Sequence, residues 1–220
     1  MSNLTETYDP AAFHSISSLH DANQHFQEKD GPSFVETKLK ALILQHRVEN
    51  LFGVALVHRH FDLEEGTILV EKDMITAPWR YDGCFAKYGG KIIPISWFCK
   101  EGRIHPYEFG FVPYSKPEPP RLEEHASFVD AFFDAVNLHG LGDSVGIRRL
   151  SGNESTGMLE CTEGKVNIMF PSHEIPAEIF QNGKETMWFF DSQPPCRMYR
   201  CVCIDLGSLL NPSHNHIDRR

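Results

Sequence analysis

Among the 12 histidines of this chain, one pair stands at a spacing that chemistry can use: His58-Arg59-His60, inside the segment FGVALVHRHFDLEEG that runs from Phe52 to Gly66. Side chains alternate across a strand, so an extended chain would project His58, His60 and Asp62 from one face. Two neutral imidazoles at i and i+2 suit one shared divalent metal ion, and a carboxylate such as Glu64 would complete the ligand set. The same residues also suit a metal-free reaction. An imidazole titrates near neutral pH, so His58 and His60 would relay protons as general acid and base while Asp62 orients one ring. Arg59 or Glu64 would then lie at the pocket rim. Phe52, Val54 and Leu56 precede the pair on the same face, which therefore turns from apolar to imidazole-bearing, as where a core opens into a pocket. Two bland arrangements use the same residue types: a structural network of the imidazoles with backbone groups and Asp62, or a binding surface formed with Arg59 and Phe61.

The segment needs elements to hold it. Phe52 to Leu63 reads as a strand with mostly buried faces, Glu64-Glu65-Gly66 as a turn, and Thr67 to Glu71 as the returning strand. A three-residue loop would set Arg59 opposite Glu71, and a two-residue loop would set His60 there. A second hairpin is predicted from Ile92 to Phe98 and Ile104 to Val112, with Pro94 and Pro106 marking edges or bulges. Ser33, with Glu36 three residues on, forms a capping box ahead of a helix over 34–49. A helix over 122–139 carries the stripe His125, Phe128, Val129, Phe132, Phe133 and Val136, and Gly140 stops it. Shorter strands follow at 145–150, 157–162, 165–170, 186–191 and 197–204, with Glu163-Gly164 as a hairpin turn. The expected fold class is α+β: antiparallel hairpins forming one or two sheets, with two main helices packed on one side. One globular domain over 31–206 is expected, preceded by a flexible or weakly helical segment over 1–30 and followed by a disordered tail over 207–220.

Composition excludes several classes. The net charge of -9, with Lys and Arg scattered, argues against nucleic-acid binding, which calls for a basic patch. No run approaches the roughly 18 apolar residues of a membrane span, and the first residues lack a basic stretch followed by an apolar one. A cytoplasmic protein with reduced thiols is the expectation. None of the six cysteines forms a CxxC pair; Cys201-x-Cys203 would place two thiols on one strand face, where a zinc or redox role needs ligands from elsewhere in the chain. G-x-S-x-G, G-x-G-x-x-G and the phosphate-binding G-x-x-x-x-G-K-[ST] are all missing. His14, His20 and His25 share no helical face and read as solvated. His214-Asn-His216 falls in the tail.

The stretch from Gly53 through His58-Arg59-His60 to Glu64 resembles half of the metal-binding motif of the cupin superfamily, a Gly, a spacer, His-x-His, a spacer and Glu. The leading spacer is one residue short, and the later half of the motif has no counterpart. A third ligand would come from His105 or His173, both beside predicted strands. The HRHFDL core also resembles a recurring segment of filamentous-fungal proteins of no assigned function, which implies accessory or secondary metabolism. These features converge on a small-molecule enzyme or ligand-binding protein with its pocket beside His58 and His60. The alternative is a non-catalytic module that presents the hairpin to a protein partner.

Overall fold

A computed structural model describes residues 3–4, 7–81, 88–151, 157–174, 183–191 and 198–205. In chain order its strands are β1 (Asn3–Leu4), β2 (Phe52–Leu56), β3 (Thr67–Lys72), β4 (Ile75–Arg80), β5 (Gly90–Lys100), β6 (Arg103–Pro113), β7 (Val145–Arg149), β8 (Met158–Glu163), β9 (Val166–Pro171), β10 (Lys184–Phe190) and β11 (Met198–Asp205). The helices are α1 (Pro10–His14), α2 (Leu19–Glu28), α3 (Gly31–Phe34), α4 (Lys40–Gln45) and α5 (Ala126–Leu138). A π-helical turn, Val35–Leu39, joins α3 to α4.

The expected α+β arrangement does not form. Ten of the described strands close into one mixed barrel, in the order β6-β3-β4-β9-β8-β11-β10-β2-β7-β5 and back to β6, and β1 lies parallel to one end of β6. Most neighbours are antiparallel, but β3 runs parallel to β6 and β11 parallel to β8. The hairpin expected between β2 and β3 is absent. Instead β2 pairs with β7 from Phe52↔Arg149 to Leu56↔Val145 and with β10 on its other side, while β3 pairs with β4 and β6. The physical reason is two-sided burial. Every residue of β2 is buried, so both its faces and both its edges must be covered, and closure into a barrel removes the edges altogether.

Local signals survive within this different topology. The β5–β6 hairpin turns through Glu101 and Gly102, both at positive φ, and its register shifts near Pro94 as the bulge reading expected. Glu163 and Gly164 lie at the turn between β8 and β9. The capping box does not act as a cap, because the helix already starts at Gly31, with Asp30 in the left-handed region and Pro32 in the first turn. Ser33 instead accepts at its carbonyl from Thr37 Oγ1. The segment before residue 30 holds α1 and α2, whose Phe13, Ala22 and Phe26 are buried.

The main core lies outside the barrel wall. Phe128, Val129, Phe132, Phe133 and Val136 of α5, with Leu39 and Ile43, pack on Phe52, Val54, Leu56, Val145, Ile147, Trp97 and Trp188. Each such side chain contributes about 1.5–3 kcal/mol on burial. Other positions on the barrel strands face the inside. Ala55 of β2, Glu71 of β3, Thr76 of β4, Arg148 of β7, Glu160 of β8, Met169 of β9 and Met187 of β10 all line one internal void.

The wall of β2 has no spare room. A Cβ at Gly53 would meet Phe189 Cδ1 at 2.6 Å and the Trp188 carbonyl oxygen at 2.7 Å. Gly53→Ala is expected to cost about 1–3 kcal/mol through overpacking, read by denaturant unfolding. A change below about 0.5 kcal/mol, the range of ordinary surface substitutions, would show that the β2–β10 contact yields.

Candidate metal centre

The histidine pair lies just beyond the end of β2. After Leu56 the chain leaves the sheet: Val57 N–H donates to the Ser144 carbonyl (2.8 Å) and Arg59 N–H to the Ser17 carbonyl (2.9 Å). His58 and His60 therefore sit on an irregular segment, and both line the void inside the barrel.

Each ring is fixed through its Nδ1. The Leu56 carbonyl lies 2.7 Å from His58 Nδ1. A carbonyl can only accept, so His58 carries its hydrogen on Nδ1 and a lone pair on Nε2. His60 Nδ1 is 3.0 Å from Thr162 Oγ1, which is in turn 3.0 Å from Asn167 Oδ1. His58 Nε2 and His60 Nε2 lie 3.0 Å apart. The His58 lone pair needs an electrophile at that distance, a proton on His60 Nε2 or a metal ion shared by both rings.

Two further donors converge on the same point. Glu160 Oε2 is 3.6 Å and Cys203 Sγ 3.8 Å from His60 Nε2, and the four ligand atoms lie within 4.8 Å of one another. A tetrahedral ion with metal–nitrogen bonds of about 2.0–2.1 Å and metal–sulfur bonds of about 2.3 Å would set N···N and N···O near about 3.3 Å and N···S near about 3.6 Å. The three spacings from His60 Nε2 fall within a few tenths of an ångström of these, while Cys203 Sγ, also 3.9 Å from His60 Nδ1, lies beside the ring and has to turn to reach such an ion. The register explains the convergence, because Cys203 is directly opposite Glu160 in the β8–β11 pair.

The electrostatics prepare the donors. Burial, reinforced by His60, lowers His58 to about 4, so its ring is neutral at pH 7. Burial alone would raise Glu160, but His60, then His58 and Arg148, outweigh it and hold the carboxylate at about 2. Burial and the nearby Glu160 push the Cys203 thiol well above its usual range. It stays a thiol until a cation replaces its proton.

A second polar group shares the void. Arg148 donates through Nη1 to Ser96 Oγ (2.8 Å) and Glu108 Oε2 (2.6 Å) and through Nη2 to Glu71. Ser96 Oγ also donates to Glu108 Oε2 (2.6 Å). The interior thus holds three carboxyl groups, Glu71, Glu108 and Glu160, against one guanidinium, and a cation suits that balance.

The structure brings His58 and His60 together but leaves the two acidic residues of the strand reading outside. Asp62 is exposed and pairs with Arg59, and Glu64 is exposed and accepts from Lys165 Nζ at 3.0 Å. The cause is the end of β2 at Leu56, beyond which strand parity no longer places side chains. Phe61 packs beside the cluster of Phe13, Val57 and Leu63. His105 lies 3.9 Å from Asp9, and His173 is exposed beside Glu174. His25 is not simply solvated: its Nδ1 is 2.8 Å from Ser144 Oγ. Cys84, Cys196, His214, His216 and the tail lie outside the described residues. Cys201 and Cys203 do share a face, but only Cys203 reaches the histidines, while Cys201 packs on Met158 and Phe189.

Glu160 is the candidate ligand that sequence reasoning missed. Its signal was a carboxylate in the middle of Met158-Leu-Glu-Cys-Thr162, between uncharged neighbours and ahead of the turn at Glu163-Gly164. No family model, curated protein or solved structure matches this chain. Among the described residues, no helix is long and apolar enough to cross a membrane. A closed barrel with a His/Glu/Cys cluster inside is compatible with a ligand-binding or enzyme-like protein.

Proposed function

We propose that this protein is a metal-dependent enzyme or binding protein for a small molecule, with one divalent ion held inside the barrel by His58, His60, Glu160 and Cys203. The observation that carries this reading is the approach of His58 Nε2 and His60 Nε2 to 3.0 Å beside a carboxylate and a thiol. Two imidazoles, a carboxylate and a thiol suit a borderline ion of the zinc class. When bound, such an ion supplies Lewis acidity and lowers the pKa of a ligated water.

The chain's own residues perform the rest. The Leu56 carbonyl holds the His58 ring in the tautomer that offers Nε2, and Thr162 positions the His60 ring, an orienting role that outer groups commonly fill at metal sites. The void beside the donors is about 20 Å³, room for about one water-sized ligand. Its wall also carries Tyr107, Glu108 and Thr186. Burying this many polar groups costs several kcal/mol per charge relative to an apolar filling, which favours a working site over a purely structural one.

Elemental analysis of the purified protein tests the reading. About one metal per chain is expected, as for a single four-ligand site. The metal should disappear in His58→Ala/His60→Ala, fall in Glu160→Gln and persist in Asp62→Ala/Glu64→Ala. Equal, substoichiometric metal in the wild type and the double histidine variant would overturn it.

A further inference from the structure

The polar void continues into a second one of different chemistry. This chamber is about 30 Å³ and is lined by Met74, Met158, Met169, Met187, Phe189 and Glu71, with Arg148 and Ser151 completing it. Four of the chain's six methionines therefore meet at one place. They come from four separate elements: the β3–β4 turn, β8, β9 and β10. The register places Met158 and Met187 one step from the Glu160–Cys203 layer and Met169 level with Glu160. Met158 is opposite Cys201 in the β8–β11 pair, two residues along from Glu160 opposite Cys203, and Met187 is opposite Cys201 in the β10–β11 pair. Met169 is opposite Glu160 in the β8–β9 pair.

Packing accounts for part of this. Methionine fills irregular gaps in cores, and these four pack with Cys201, Leu150, Phe189 and Tyr199 in one cluster, yet a void is left among them. Met74, at φ +67°, is the second residue of the two-residue turn that closes the β3–β4 hairpin, after Asp73 at φ +52°, the conformation such a turn requires. What a thioether has that leucine lacks is a soft sulfur lone pair, and thioethers favour Cu(I) over harder ions. Glu71 is the carboxylate at the chamber wall, and Arg148 already engages it through Nη2, so the thioether ligand set is itself uncharged. Access exists on one side: Glu71, Met74 and Ser151 also line a surface groove of about 400 Å³.

We propose that the methionine chamber is a second metal site, for a soft monovalent cation of the Cu(I) class, distinct from the His/Glu/Cys centre. Thioethers of Met74, Met158, Met169 and Met187 are its donors. No proton is displaced on binding, because a thioether carries none.

Silver(I), a redox-inert soft monovalent ion, is the probe. The full chain is labelled with methyl-13C methionine and titrated as the wild type and as His58→Ala/His60→Ala/Cys203→Ser, which lacks the other centre. In both proteins one equivalent of silver should shift the methyl resonances of Met74, Met158, Met169 and Met187 and leave Met198 in place. Met158→Leu/Met169→Leu/Met187→Leu, which conserves volume, should bind silver at least about tenfold more weakly, since even outer-shell changes at metal sites cost that much. Unmoved methyl resonances, with silver held by thiols only, would overturn the proposal, as would unchanged affinity in the leucine variant. If the leucine variant does not fold, the wild-type methyl spectrum decides. Silver binding in the variant without His58, His60 and Cys203 stands whether or not that centre takes a divalent ion, so the two readings fail separately.

Discussion

Replacing Arg148 by methionine is expected to lower the unfolding free energy by about 3–5 kcal/mol, the usual consequence of leaving buried charges without their partner. Arg148 follows Ile147 on β7, and because Ile147 packs outward under the helices, the guanidinium projects into the barrel. There it is held by Glu71, Glu108 and Ser96. Burial raises the Glu108 carboxyl, and Arg148 is the group that opposes this rise. Burial would also lower Arg148, but Glu71 and Glu108 outweigh it, so the network holds its own charges. Without the guanidinium, the carboxyl groups must take up protons or draw in water. At about 2–4 °C per kcal/mol for a chain of this length, the single substitution should lower Tm by about 6–20 °C. The triple variant Arg148→Met/Glu71→Gln/Glu108→Gln should recover most of the loss, because neutral replacement of a buried ion network is often harmless to stability. Thermal and denaturant unfolding of the three proteins decides the matter. A single-variant loss below about 1 kcal/mol, the range of exposed ion pairs, would show that these groups reach water.

The same network shows what the sequence could and could not convey. Local patterns were legible because a few adjacent residues create them. The α5 stripe, the β5–β6 and β8–β9 hairpins and the strands near the C-terminal end all follow from nearby side chains and turn residues. Closure of the barrel was not legible, since it rests on pairings such as β2 with β7 and β8 with β11, which join distant segments. Strand β2 gave a misleading parity for a definite reason. All five of its residues are buried on one side or the other, so Phe52, Val54 and Leu56 show no period that marks which face is inside. Phe52 and Val54 face the helices, Ala55 faces the void, and Leu56 at the strand end touches both. The centre was half legible for the same reason. His58 and His60 are neighbours in sequence, whereas Cys201-x-Cys203 reads first as two small half-buried apolar side chains, with a zinc or redox role needing ligands from elsewhere. Cys203 lies 143 residues from His60, and only the barrel joins them.

That distance makes metal binding and folding one equilibrium. Saturating zinc is expected to stabilise the protein by about 4 kcal/mol at a thousandfold excess over Kd, provided the ion binds the folded chain alone. The proviso holds here because the four donors come from the 58–60 segment, β8 and β11, and an unfolded chain does not gather them. At about 2–4 °C per kcal/mol the shift in Tm should be about 8–16 °C, and a chelator should reverse it. Without a metal, the facing Nε2 atoms must share a proton at 3.0 Å, inside a wall whose carboxyl groups outnumber its guanidinium. A divalent ion relieves both conditions at once, which is why the gain should be large in the wild type. His58→Ala/His60→Ala should melt at the same temperature with and without zinc. Cys203→Ser should keep a smaller shift, because two imidazoles and Glu160 remain. If zinc raises the double histidine variant as much as the wild type, the ion is binding elsewhere, and the convergence of His58, His60, Glu160 and Cys203 needs a proton-sharing explanation instead.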